Sequence, residues 1–130
     1  MTLDKCVDGD TAWFDIDGKR TKVRFLYIDT PESTNQIEPY GKEASDYTKE
    51  QLSNANTIEL ELNSDGDSED KYGRLLAWVF VDGELLQEKL AREGLVEKFY
   101  DYGYSYKYKK EIISADRYAK NSHLGIYSGR

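Results

Sequence analysis

One cysteine and one histidine stand among the 130 residues. The lone Cys6 excludes an internal disulfide and any cysteine-rich zinc site, and reads as a small apolar residue of the first strand. The lone His123, close to the C-terminus, removes histidine-pair ribonuclease chemistry and histidine-rich metal sites, and reads as a surface or packing residue. No apolar run approaches the roughly 20 residues that cross a bilayer, so no membrane contact is expected. The opening "MTLDKCVDGD" has no basic region followed by an apolar one, so no signal peptide is expected in it. Basic residues are also in deficit, 18 Lys and Arg against 25 Asp and Glu, for a net charge of −7. Taken alone, that balance argues against a non-specific nucleic-acid binder, because a negative field repels polyanions.

What is present is ordinary for a folded chain: 38% hydrophobic and 33% charged residues, in a length that suits one compact domain over residues 1–130. The charge is unevenly spread. "NSDGDSED" (63–70) is an acidic loop, whereas "YKYKK" (106–110) is basic and aromatic.

Periodicity supplies the elements. From Leu3 the chain reads as a strand, and "TAWFDID" alternates Ala12, Phe14 and Ile16 against Thr11, Trp13 and Asp15. Asp17-Gly18 is a two-residue hairpin signal, after which "KRTKVRFLYI" returns antiparallel. Tyr40, Ala44, Tyr47, Leu52 and Ala55 share one face of a helix over 40–55. "TIELELN" (57–63) alternates again, and "RLLAWVFVDGELL" is a strand closed by a second Asp-Gly turn. A short helix follows over about 86–93, ended by Gly94, and a last one spans about 105–121. The order βββ-α-ββ-α-α predicts an α+β fold, a small closed five-stranded Greek-key barrel of the oligonucleotide-binding (OB) type with three α-helices.

Three stretches carry chemistry. "RFLYIDTPE" (24–32) heads an apolar run with a guanidinium and ends it in two carboxylates. In isolation Arg24 reads as a surface arginine at the barrel edge, and "DTPE" as a helix or turn entry with Thr30 capping and Pro31 in the first turn. "VDGDT" (7–11) sets Asp8 and Asp10 around a glycine, and "DKYGR" (70–74) puts Arg74 at the head of a strand; each alone is also a plain turn. Of the 11 tyrosines, Tyr100 and Tyr102 beside Lys98 are the candidates for stacking on bases, which works for any base and favours unpaired strands.

Together, in this order, these motifs resemble the staphylococcal nuclease (thermonuclease) family across nearly the whole chain, with "YGKEAS", "GLVEKFY" and the terminal "GIYS" adding to the match. The resemblance implies a five-stranded barrel with three helices, and a calcium-dependent nuclease that cleaves DNA and RNA with little sequence preference and leaves 3′-phosphate ends. It implies calcium ligands at Asp10, Asp29 and the Thr30 carbonyl, a catalytic carboxylate at Glu32, and phosphate-binding arginines at Arg24 and Arg74. Lys71, Tyr72, Tyr100 and Tyr102 fall where the family grips the nucleotide. The partners implied are single-stranded DNA and RNA, with a monomeric protein that is secreted or on the cell surface. Carboxylate and carbonyl oxygens suit a hard cation, and paired arginines suit a phosphate gaining charge. If Asp10, Asp29 and Glu32 converge, the metal-free site holds three mutually repelling acids. The chain departs from the family's basic members in its −7 charge. The competing reading is a non-catalytic OB module that binds nucleic acid or protein.

Overall fold

The computed structural model describes residues 1–33 and 38–128. Three strands, β1 (Thr2–Asp8), β2 (Thr11–Ile16) and β3 (Lys19–Phe25), form an antiparallel meander. The β2–β3 turn has positive φ at both Asp17 and Gly18, the twist that lets a two-residue loop join right-twisted strands. β3 then continues into a two-residue strand, β4 (Ile28–Asp29). After helix α1 (Gly41–Asn54) come β5 (Ile58–Glu61), β6 (Leu75–Val81) and β7 (Glu84–Leu85), with Asp82-Gly83 forming the second hairpin turn. Helix α2 (Leu86–Arg92), strand β8 (Lys98–Phe99), helix α3 (Lys109–Asn121) and a 3-10 turn (Gly125–Tyr127) complete the order.

The main sheet runs β1-β2-β3-β6-β5, with β3 and β6 parallel, and β4 pairs with β8 in a small second sheet. The architecture is the expected OB-type barrel with three helices, with one correction. Among the described residues no ladder joins β5 to β1, so the sheet is a curled half-barrel rather than a closed one. The short β5 leaves β1 without a partner on that side, and α1 packs on β1, with Thr48 Oγ1 donating to Gly9 O (2.6 Å).

The inward positions of β2, β3 and β6 supply the core: Ala12, Phe14, Val23, Phe25, Ala77 and Val79, each 0% exposed, with Trp78 also fully buried. Leu86 and Leu90 of α2 and Ile112 of α3 close it from the helical side. Removing such side chains from water contributes roughly 1.5–3 kcal/mol each before entropy is subtracted. Two helix boundaries are informative. Gly94 takes φ 73, the left-handed conformation that ends α2. α3 begins at Lys109 rather than at 105; Ser105 N and Lys107 N donate to Asp65 and Asn63, which ties the segment ahead of the helix to the acidic loop.

Candidate active site

"RFLYIDTPE" is not one straight strand. Tyr27 takes φ 79, outside the extended region, and breaks β3 from β4. Its ring is held by Phe99 and Tyr106, and its carbonyl accepts from Tyr100 N (2.7 Å). Fully buried Gln87 stitches the bend, donating to Leu26 O (3.3 Å) and Ala77 O (3.0 Å) and accepting from Val79 N (3.1 Å). In an extended strand, Arg24 and Asp29 would lie about 16 Å apart on opposite faces. The bend brings them together.

Arg24 is therefore buried, 9% exposed, and not the edge residue the alternation suggested. Its Nη1 donates to Phe25 O (2.9 Å) and Ile28 O (2.7 Å), while Nη2 lies 3.3 Å from Asp10 Oδ2 and 3.4 Å from Asp29 Oδ1. Asp10 also accepts from Thr11 Oγ1 (2.9 Å) and Thr30 N (3.0 Å). Glycine precedes it for a steric reason: a Cβ at Gly9 would stand 2.7 Å from Thr30 Oγ1 and 2.8 Å from Ala44 Cβ of α1. One guanidinium thus serves two acids. Burial, and then the Asp10 charge, push Asp29 up to about 6 in spite of Arg24. The ion pair taken alone argues for a lowered pKa, but at 3.4 Å and shared, it is outweighed.

Thr30 is buried, and among the described residues its Oγ1 has no partner and it caps no helix, since α1 starts only at Gly41. Glu32 is fixed through its backbone. Its N–H donates to Glu38 Oε1 (2.8 Å), and its carbonyl accepts from Glu38 N (2.9 Å). Its charge is felt by Asp8, whose pKa is raised chiefly by burial, against the lowering bond from Ser33. Asp8 Oδ1 accepts from both the N–H and the hydroxyl of Ser33. Among the described residues no three acids are gathered into a metal-holding group, and Asp10 and Asp29 meet at Arg24. That pair, with net charge −1 after Arg24 and an orphaned buried hydroxyl beside it, is an oxygen-donor set suited to a hard cation.

The second arginine reaches the same place from another element. Gly73 turns with φ 77, and Asp70 Oδ1 accepts from Tyr72 N and Arg74 N (both 2.9 Å). Asp70 Oδ2 takes Arg74 Nε at 2.6 Å, which leaves the outer face of the guanidinium over Tyr72, 5.4 Å from its centroid. Arg24 lies 5.5 Å from the Tyr100 ring, which stacks on Tyr102 at 6.3 Å and 10°. Arg24, Lys71, Tyr72, Arg74, Tyr100 and Tyr102 all line one cleft of about 630 Å³. Tyr72 and Tyr102 are 71% and 73% exposed, so packing does not account for them. Glu32 does not line this cleft, and Asp65, Asp67, Glu69 and Asp70 form its acidic side. Arg24 joins the two halves of the site, touching the acid pair at one side and the tyrosines at the other.

Over residues 22–129 the chain matches the family model described as Staphylococcal nuclease homologue. The chain belongs to this family. Arg24, Asp29 to Glu32, Lys71 to Arg74 and the tyrosines fall within the family match, whereas Asp10 precedes it. The chain is 43% identical over 131 residues to Endonuclease YncB of Bacillus subtilis (strain 168), covering 98% of this chain and 61% of that protein. It is 44% identical over 131 residues to the SPbeta prophage-derived endonuclease YokF of the same organism, covering 98% and 44%. To Thermonuclease of Staphylococcus hyicus it is 41% identical over 128 residues, covering 95% and 73%. The chain thus spans about half the length of the two Bacillus relatives.

Sequence reasoning passed over several members of this site. Asp70 holds Arg74, and its signal was the Asp-to-Arg spacing of four around a glycine in "DKYGR". Asn63 accepts from Trp78 Nε1 (3.3 Å) and Lys107 N (3.1 Å), tying the acidic loop to the tyrosine loop. Tyr104 and Tyr106 also line the cleft, and the every-other-residue tyrosines from 100 to 106 were their only trace.

Proposed function

We propose that residues 1–130 form one nuclease domain that hydrolyses phosphodiester bonds of DNA and RNA with little sequence specificity, prefers single strands, depends on calcium and leaves 3′-phosphate ends. The observation that carries this reading is the cleft, where two arginines on separate elements face exposed, mutually stacked tyrosines, with an acid pair against the inner arginine. Family membership supports it, as do the relatives named endonuclease and thermonuclease.

The residues act as follows. Arg24 and Arg74 each donate to the phosphate oxygens, whose charge grows as water adds to phosphorus. Tyr100, Tyr102 and Tyr72 offer faces on which bases stack, and Lys71 adds a point charge for a flanking phosphate. Glu32 is the carboxylate for taking the water's proton or orienting the water. A 3′-phosphate product requires that the P–O5′ bond breaks and the 5′ oxygen leaves with a proton. Asp10, Asp29 and the Thr30 carbonyl are the oxygens that would hold calcium, which when bound supplies Lewis-acid polarisation of the phosphoryl oxygen.

The test is degradation of heat-denatured DNA with calcium and with a chelator. Cleavage with calcium alone supports the reading. Cleavage equal in both conditions removes the calcium dependence, and binding without cleavage in either selects the non-catalytic OB module.

A further inference from the structure

The cleft opens at Arg24, and Arg24 belongs to a row. Val23 and Phe25 point into the core, so Arg20, Lys22 and Arg24 occupy the opposite, outer face of β3, stepping about 6.8 Å per pair of residues. Register places Lys22 across from Trp13 of β2, and Trp13 across from Lys5 of β1. The outer face of the meander therefore carries Lys5, Trp13 and Lys22 side by side, one step along the sheet from Arg24. Arg20 lies over the Trp13 ring at 3.9 Å and Lys22 at 5.6 Å. Two carboxylates share this face: Asp4, which pairs with Arg20, and Asp15, which lies across from Arg20. They offset the far end of the row and leave Lys5 and Lys22 without an ion-pair partner among the described residues. For a chain of net charge −7, two uncompensated lysines flanking a half-buried tryptophan are a local inversion of the field.

We propose that this face is a single-strand track. A strand seated in the cleft continues across the meander, with its phosphates on Lys22 and Lys5 and one base stacked at Trp13. The inference rests on nucleic acid being the ligand of the cleft and extends that contact beyond the residues lining it. Its occupant is set by charge complementarity and by continuity with Arg24. An aromatic between basic side chains binds any base without reading it, in keeping with the stacking tyrosines. It also offers an acidic protein a means to hold a polyanion, with the attraction confined to one stripe.

The experiment measures binding with a chelator present, so that cleavage plays no part. Oligo(dT) of 12 nucleotides and of 3 nucleotides is titrated into the parent, the double variant Lys5→Gln/Lys22→Gln, and Trp13→Phe. Trp78 is fully buried, so quenching of tryptophan emission reports on Trp13. The parent is expected to bind the 12-mer at least about tenfold tighter than the 3-mer, with quenching. The double variant is expected to lose that advantage by about fivefold or more and to lower the salt slope by about 1 to 1.5, the share of two phosphates. Its binding of the 3-mer stays unchanged, and Trp13→Phe abolishes the quench while melting like the parent. Equal 12-mer affinity and slope in parent and double variant overturns the track, as does binding without quenching. Cleavage without these effects leaves the nuclease reading standing and sinks the track alone. Track binding without cleavage does the reverse.

Discussion

Replacing Asp29 by asparagine isolates the electrostatic strain of the candidate metal site. Asp29 and Asp10 share one Arg24 nitrogen at 3.4 and 3.3 Å, and burial with the Asp10 charge pushes Asp29 from 3.8 up to about 6. A raised pKa means that the folded chain holds this proton more tightly than the unfolded one. Between pH 3.8 and 6 the native state therefore binds more protons, and stability falls as pH rises through that window. The loss is complete near pH 7; at full value it would be about 3 kcal/mol, and solvent screening of this partly exposed carboxylate brings it to about 1.5 kcal/mol. The asparagine cannot ionise and keeps an oxygen for the long Arg24 contact. Allowing for a weakened bond, metal-free Asp29→Asn should be about 1 kcal/mol more stable than the parent at pH 7.5, a rise of roughly 4 °C in Tm for this size. At pH 4 the two should melt together. The assay is a set of thermal melts with chelator from pH 4 to 8. Asp8 and Asp116 are also raised by burial and add slope of the same sign, so the readout is the difference between the two proteins. A variant that melts below the parent at pH 7.5, or a difference that does not change with pH, would refute the reasoning.

The arginines are expected to differ in kind. Arg74→Ala should lower turnover by about 10²–10³ while melting close to the parent, because its Asp70 bond is partly solvated. Arg24→Ala should lose turnover and about 3–5 kcal/mol of stability, since it strands two acids in a buried site; a melt unchanged from the parent would contradict this. Calcium at a hundredfold excess over Kd should raise the parent's stability by about 2.7 kcal/mol, and Asp10→Asn should lose most of that shift in the same melt. Gly9→Ala should cost about 1–3 kcal/mol by urea unfolding, as its methyl meets Thr30 and Ala44 inside contact distance.

The strands and helices were legible from the chain because burial imposes a period of two or 3.6 on local residues. Phe14, Val23 and Phe25 follow that rule in the sheet, and Ala44, Thr48 and Leu52 follow it in α1. The two Asp-Gly hairpins were legible for a similar local reason, since a two-residue turn needs positive φ. Arg24, Arg74, Tyr72, Tyr100 and Tyr102 of the cleft were named from motifs and the resemblance they carry, whereas Tyr104 and Tyr106 were not. What alternation misjudged lies where the backbone leaves its regular path. No period announces that Tyr27 turns left-handed, and that single residue folds Asp29 back onto Arg24. Nor does spacing reveal that the Glu32 backbone pairs with Glu38. The start of α3 and the open edge of the barrel were settled in the same way, by contacts between segments distant along the chain. Sequence thus determined which side chains can do the chemistry, because that depends on residue type. Tertiary structure decided which of them meet, because a bend held by Gln87, Phe99 and Tyr106 is stabilised only once those distant residues have packed around it.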